Sequence, residues 1–232
     1  MSYASFITNV HATNHYHNFS IKVYKNNQAT YKKLYIELMN FLAHIYLSGN
    51  DTELKIGNFI ADAVKGKKFD QFSNRIQQGI ILHRKIDSYT DSHPIVKQSV
   101  KRLFPRYGHY STVIVDILYD HYLAAYWSEY CEIPLDQYVA DFYELLQEYF
   151  EILPKRIQNF LPYMLRDNWL LSYSTIPGIG RILYQMNHRT KNRSKMNFAV
   201  VELEQNYSDF EKEFRSFFLE LELFTKDEIR RL

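Results

Sequence analysis

Apolar residues return every three or four positions from Met39 onward, and few breakers interrupt them. The 232 residues hold only 7 glycines and 6 prolines. Long helices need such continuity, whereas a turn-rich all-β fold needs the opposite. Hydrophobic residues make up 46% of the chain, enough for one sizeable core. The predicted class is all-α, a single compact multi-helix domain over 39–232 with eight or more helices.

The punctuation divides this domain into segments. Residues 40–48 are short and apolar. Asp51 and Thr52 can cap a helix that runs to about Val64 and stops at Gly66. Residues 70–89 form a long amphipathic helix, with Ile76, Ile80, Leu82 or His83, and Ile86 at helical spacing. His93-Pro94 breaks it, and a short helix follows that ends near Pro105. Residues 111–130 are apolar on most sides and predict the central buried helix. Pro134 starts another, Pro154 and Pro162 punctuate the next stretch, and 169–173 continues it. Pro177-Gly178 with Gly180 reads as a turn, before helices over 181–188, 196–206 and 209 to the end.

Residues 1–38 carry four lysines against Glu37 alone and lack a helical period. They read as an N-terminal extension with little tertiary structure, either upstream of a functional start at Met39 or specific to this branch. No run approaches the roughly 18 apolar residues of a membrane span, and no secretory signal pattern is visible. Membrane insertion is therefore not expected. The single cysteine, Cys131, excludes an internal disulfide and a cysteine zinc cage, and points to a reducing cytoplasm. A net charge of +2 is too balanced for bulk nucleic-acid binding.

Within the helices, His and Asp recur at turn spacing. His83, Asp87 and Asp91 stand at i, i+4 and i+8, on one helix face. Asp116 and Asp120 repeat the spacing, with His121 adjacent. Asp62 precedes them, His44 lies on the first short helix, and His93 follows Asp91. A buried carboxylate costs several kcal/mol unless it is paired or binds a metal. Mixed carboxylate and imidazole donors suit Mn²⁺, Fe²⁺ or Zn²⁺ better than Ca²⁺. Such a site can acidify bound water for attack on phosphorus. Arg84 and Lys85 follow His83 directly, Lys65, Lys67 and Lys68 follow Asp62, and Arg75 lies two turns before His83. Cations beside a metal suit a phosphate ester. Taken singly, each histidine also fits an ordinary core role and each lysine a solvated surface.

Four stretches then become familiar in order: Met39-Asn-Phe-Leu-Ala-His44, Ile56-Gly-Asn-Phe-Ile-Ala-Asp62-Ala-Val-Lys-Gly66, Gly79-Ile-Ile-Leu-His83-Arg84-Lys-Ile-Asp87-Ser-Tyr-Thr90-Asp91-Ser92-His93-Pro94, and Asp116-Ile-Leu-Tyr-Asp120-His121-Tyr-Leu-Ala. They resemble the acyl carrier protein phosphodiesterase family, and the likeness runs from Met39 to the C-terminus. It implies an all-helical fold divergently related to the HD-domain phosphohydrolases, with Mn²⁺ as cofactor. It also implies hydrolysis of the phosphodiester joining 4′-phosphopantetheine to a serine of acyl carrier protein. The adjacent His-Asp pair of the HD superfamily is missing: His83 and Asp87 are a turn apart, and Asp120-His121 runs in reverse.

On this basis Asp62, His83, Asp87 and Asp120, with His44 or His121, are the expected metal ligands. Arg84 is expected to stabilise charge on the phosphate oxygens. Asp91 or His93 is expected to protonate the leaving serine or orient a ligand. Acyl carrier proteins are typically acidic, so Lys65, Lys67, Lys68, Arg75 and Lys85 are the expected docking residues. A nucleotide or small-phosphoester hydrolase with the same metal site is the alternative enzyme. A helical interaction module whose acids only form ion pairs is the alternative outside enzymes.

Overall fold

The computed structural model describes residues 41–66 and 68–232. The expectation for residues 1–38 lies outside the described residues, as does Lys67. The described chain is all-α and contains no strand. Its first helices are α1 (Phe41–Leu47), α2 (Thr52–Ile60), α3 (Asn74–Ser92), α4 (Pro94–Tyr107) and α5 (Tyr110–Ala125). They are followed by α6 (Leu135–Glu148), α7 (Lys155–Arg166), α8 (Trp169–Ser172), α9 (Ile176–Arg189), α10 (Ala199–Gln205) and α11 (Tyr207–Arg230). A 3-10 turn, Ala61–Ala63, extends α2. No helix among the described residues is long and apolar enough to cross a membrane.

Helix α5 is the central element the sequence predicts. Ile114, Val115, Ile117, Leu118, Tyr122 and Leu123 on it are all buried, and it packs against α1, α4, α9 and α11. The polar residues at its core, Asp120 and His121, are buried as well.

Capping decides the boundaries. The Asp51 carboxylate accepts from Leu54 N at 2.9 Å and opens α2 as expected. Ser73 caps α3, so that helix starts at Asn74 rather than Asp70. Three proline readings are corrected. Pro105 lies inside α4 and Pro162 inside α7, where neither ends its helix. Pro177-Gly178 forms no turn: Thr175 Oγ1 accepts from Gly178 N at 3.1 Å and Pro177 sits in the first turn of α9. A first-turn N–H has no intrahelical partner to lose, so proline is tolerated there.

Helices α2 and α3 share the most extensive contact among the described residues, and two glycines let them close. A Cβ on Gly57 would lie 2.1 Å from Ile76 O, and one on Gly79 would lie 2.3 Å from Leu54 O. Both obstacles are main chain, so no side chain can move aside. The contact sets Asn58 of α2 against His83 of α3, one turn past Gly79. Gly79→Ala is expected to lose about 1–3 kcal/mol of stability from overpacking, and to lose activity as His83 shifts. Urea unfolding and turnover check this; wild-type values for both would refute the close approach.

Candidate metal centre

One amide organises the centre. The fully buried Asn58 donates through Nδ2 to His44 O at 2.9 Å and to Ser48 Oγ at 2.9 Å. Its Oδ1 therefore faces the two histidines, 2.8 Å from His44 Nδ1 and 3.1 Å from His83 Nδ1. An acceptor oxygen requires a proton on each Nδ1, which leaves each neutral ring its lone pair on Nε2. The rings stack with centroids 4.0 Å apart, so both Nε2 atoms are presented side by side.

Carboxylates meet those nitrogens. His83 Nε2 is 3.2 Å from Asp62 Oδ1 and 3.1 Å from Asp87 Oδ2. His44 Nε2 is buried and 3.3 Å from Asp87 Oδ1, and no hydrogen bond is made to it among the described residues. Burial pulls His83 down, yet its bonds to Asp62 and Asp87 and their charges outweigh this and raise it to about 9. Burial and the neighbouring His83 lower His44. Burial raises Asp87, but the two imidazoles prevail and hold it well below the usual carboxylate range.

Helix α5 adds an acid. Asp116 is half-buried, and no side chain among the described residues hydrogen-bonds to it. Burial and the charges of Asp87, Asp91, Asp120 and Asp62 raise its carboxyl well above the ordinary value. Asp91 is exposed at the margin, raised by its partial burial and by Asp87.

This donor set fits a cation. Ligand atoms of His44, His83 and Asp87 lie within 4.8 Å of one another, close enough to hold one metal ion. A buried nitrogen lacks a hydrogen bond, and acids crowd the same space. A divalent ion would relieve both. Imidazole with carboxylate favours a transition metal over calcium. Two residues around the cluster lie outside the expected ligand set. Asn58 carries no charge and sits in an apolar stretch, so spacing gave no signal. Asp116 shared the i,i+4 spacing that drew attention to Asp120, and was passed over.

Other expected site residues go elsewhere. Asp120 is not brought to the ligand cluster. Its oxygens accept from Leu42 N at 3.1 Å and Ala43 N at 2.9 Å, capping the start of α1 from across the core. His121 is also engaged at both nitrogens, Nδ1 2.7 Å from Tyr173 O and Nε2 3.0 Å from Tyr207 Oη. His93 caps α4 and faces Glu220 at 3.3 Å, packed between Tyr89 and Phe217. Arg84 donates from Nη2 to Val64 O at 3.1 Å and Gly66 O at 2.7 Å, bracing the loop after Asp62. Arg75 pairs with Asp51 at 2.7 Å and Lys85 with Glu228. Lys65 and Lys68 are exposed on the braced loop.

Burial pushes Asp120 up to about 7 against the downward pull of its two N–H partners. An unfolded carboxyl titrates near 3.8. Between these values the folded chain retains a proton the unfolded chain has released, so this contribution to stability declines as pH rises from about 4 to 7. The stability of the wild type relative to Asp120→Asn is expected to fall by a few kcal/mol over that range in urea titrations. A pH-independent difference would contradict this.

A model of the acyl carrier protein phosphodiesterase family matches residues 39–221. An acyl carrier protein phosphodiesterase from Pectobacterium atrosepticum is 32% identical over 181 residues, covering 78% of this chain and 94% of that protein. Its namesake from Photorhabdus laumondii is 29% identical over 181 residues, covering 78% and 91%. That from Yersinia enterocolitica is 30% identical over 187 residues, covering 78% and 94%. No solved structure matches, so the expected likeness to HD-domain phosphohydrolases has no structural neighbour to rest on. The family model spans most of the chain, the relatives are covered almost end to end, and the chain belongs to the acyl carrier protein phosphodiesterase family.

Proposed function

We propose that this chain is a metal-dependent phosphodiesterase that removes 4′-phosphopantetheine from the serine of holo-acyl carrier protein, leaving apo-carrier protein. The observation that carries the reading is the His44, His83 and Asp87 cluster in a chain of this family. His44 and His83 through Nε2, with Asp87 and Asp62, would hold the cation, which we take to be Mn²⁺. Such a cation supplies Lewis acidity to the phosphodiester and acidifies water.

The chain's own residues do the remaining work. Asn58 fixes both imidazole tautomers and so keeps both Nε2 atoms basic. Arg84 spends only Nη2 on the loop carbonyls, leaving Nη1 and Nε for a phosphate oxygen. Asp91, exposed and raised, is the acid that hands a proton to the departing serine oxygen. Ser92 is no nucleophile in this reading, since its hydroxyl donates to Tyr89 O at 3.0 Å. A reducing cytoplasm suits the single free thiol.

Intact-mass spectrometry of holo-carrier protein incubated with the enzyme and Mn²⁺ tests the reading. A loss of about 340 Da is expected for hydrolytic removal of the prosthetic group. An unchanged mass alongside cleavage of a small phosphoester would move the substrate to that class.

A further inference from the structure

The 34 residues from 168 to 201 contain no aspartate or glutamate, but five lysines and arginines. The fold gathers these cations. On α9, Arg181, Tyr184 and His188 are exposed at i, i+3 and i+7, and so share one face. The loop that leaves this helix exposes Lys191, Arg193 and Lys195. None of Arg181, Lys191, Arg193 and Lys195 makes an ion pair among the described residues. Arg75 and Lys85, expected to dock the partner, are instead partly neutralised by Asp51 and Glu228.

The loop is built to hold its shape. Lys191, Asn192 and Lys195 have φ of 57°, 61° and 56°, a region that L side chains rarely adopt. A set of polar contacts secures it. Thr190 Oγ1 accepts from Ser194 N at 3.1 Å, Ser194 Oγ lies 3.1 Å from Asn187 Oδ1, and Asn187 Nδ2 donates to Asn192 Oδ1 at 3.1 Å. A backbone fixed in this way needs little ordering on binding. Tyr184 is 62% exposed and stacks on His188 in their midst. A large exposed aromatic within a cationic rim is the composition of a protein interface centre. Helix α9 packs on α5, which carries Asp116 of the candidate centre.

We infer that the outer face of α9 and its following loop form a docking surface for an acidic protein face, that of the carrier protein whose phosphodiester is cleaved. The inference rests on the proposed function for the partner's identity, and on the structure for the surface. A membrane or nucleic acid would also answer to positive charge. A protein-borne substrate and the central aromatic favour a protein.

The test compares the wild type with the quadruple variant Arg181→Gln, Lys191→Gln, Arg193→Gln, Lys195→Gln, and separately with Tyr184→Ala on the exposed helix face. KM for holo-carrier protein is expected to rise about tenfold in the quadruple variant with kcat unchanged. Hydrolysis of bis(para-nitrophenyl) phosphate should stay at the wild-type rate, which also reports that the variant is folded. Affinity for apo-carrier protein, read by fluorescence anisotropy, should fall in parallel and lose its salt dependence. Tyr184→Ala should raise KM several-fold. Equal apo-carrier binding by wild type and both variants would overturn the inference and leave the phosphodiesterase reading intact. Weaker variant binding without any wild-type cleavage of holo-carrier would sink that reading and keep the surface. Charge-dependent retention on phosphatidylglycerol vesicles, with carrier binding unchanged, would assign the surface to a membrane and overturn it.

Discussion

Asp87→Asn is expected to reduce turnover of holo-carrier protein by about 10³-fold and to weaken binding of a divalent cation, while the helical circular dichroism stays unchanged. Among the described residues, Asp87 is the carboxylate that faces both Nε2 atoms, at 3.3 Å from His44 and 3.1 Å from His83. It also supplies much of the negative charge that keeps His83 protonated while no cation is bound. A cation's Lewis acidity is worth several kcal/mol of transition-state stabilisation, and about 4 kcal/mol corresponds to three decades of rate. Asparagine keeps the volume and removes the charge, so packing should survive. Calorimetric titration with Mn²⁺ separates the causes. A variant that binds Mn²⁺ like the wild type and turns over within about tenfold of it would remove Asp87 from the centre.

Asn58→Ala should be the most damaging change to stability at the site. The side chain is fully buried and takes part in four hydrogen bonds to His44, His83 and Ser48. Each bond contributes about 1 kcal/mol, and the stranded buried partners add their own desolvation, so a loss of about 4 kcal/mol is expected in urea unfolding. Removing a partner that orients metal-binding histidines commonly lowers metal affinity by about 10–100-fold. Asn58→Asp keeps an acceptor for both Nδ1–H groups and gives up two donors. It should lose stability while holding metal affinity better than the alanine variant. Alanine and aspartate variants with the same Mn²⁺ affinity would show that the amide does not orient the rings.

How much of this was legible in the sequence depends on the residue. His83, Asp87 and Asp91 lie on one helix as spacing predicts, because i,i+4 geometry is local. Asp120 was legible as an acid in need of a partner. That the partner would be the main chain of α1, 77 and 78 residues away, was not. Charge and spacing mark a demand for compensation, and only the packing says what meets it. His121 follows the same logic, its demand met by Tyr173 and Tyr207. Asn58 was illegible because a neutral amide creates no electrostatic demand until two imidazoles are folded onto it. Pro177 was illegible for a local reason. A ring at the first turn and a ring that ends a helix look alike in sequence, and Thr175 capping Gly178 N decides between them only in three dimensions.

The glycine contact between α2 and α3 also bears on the genetics of this family member. The atoms that would strike a Cβ at Gly57 or Gly79 belong to Ile76 O and Leu54 O, which every residue type carries. No substitution at Ile76 or Leu54 trims a carbonyl, and neither glycine can be made smaller to accommodate the other. Suppressors of Gly79→Ala should therefore not map to its direct neighbours. They should fall at distant positions that re-angle a whole helix, such as the α11 residues that pack along α3. The crossing thus behaves as a point where mutational drift has no small steps available.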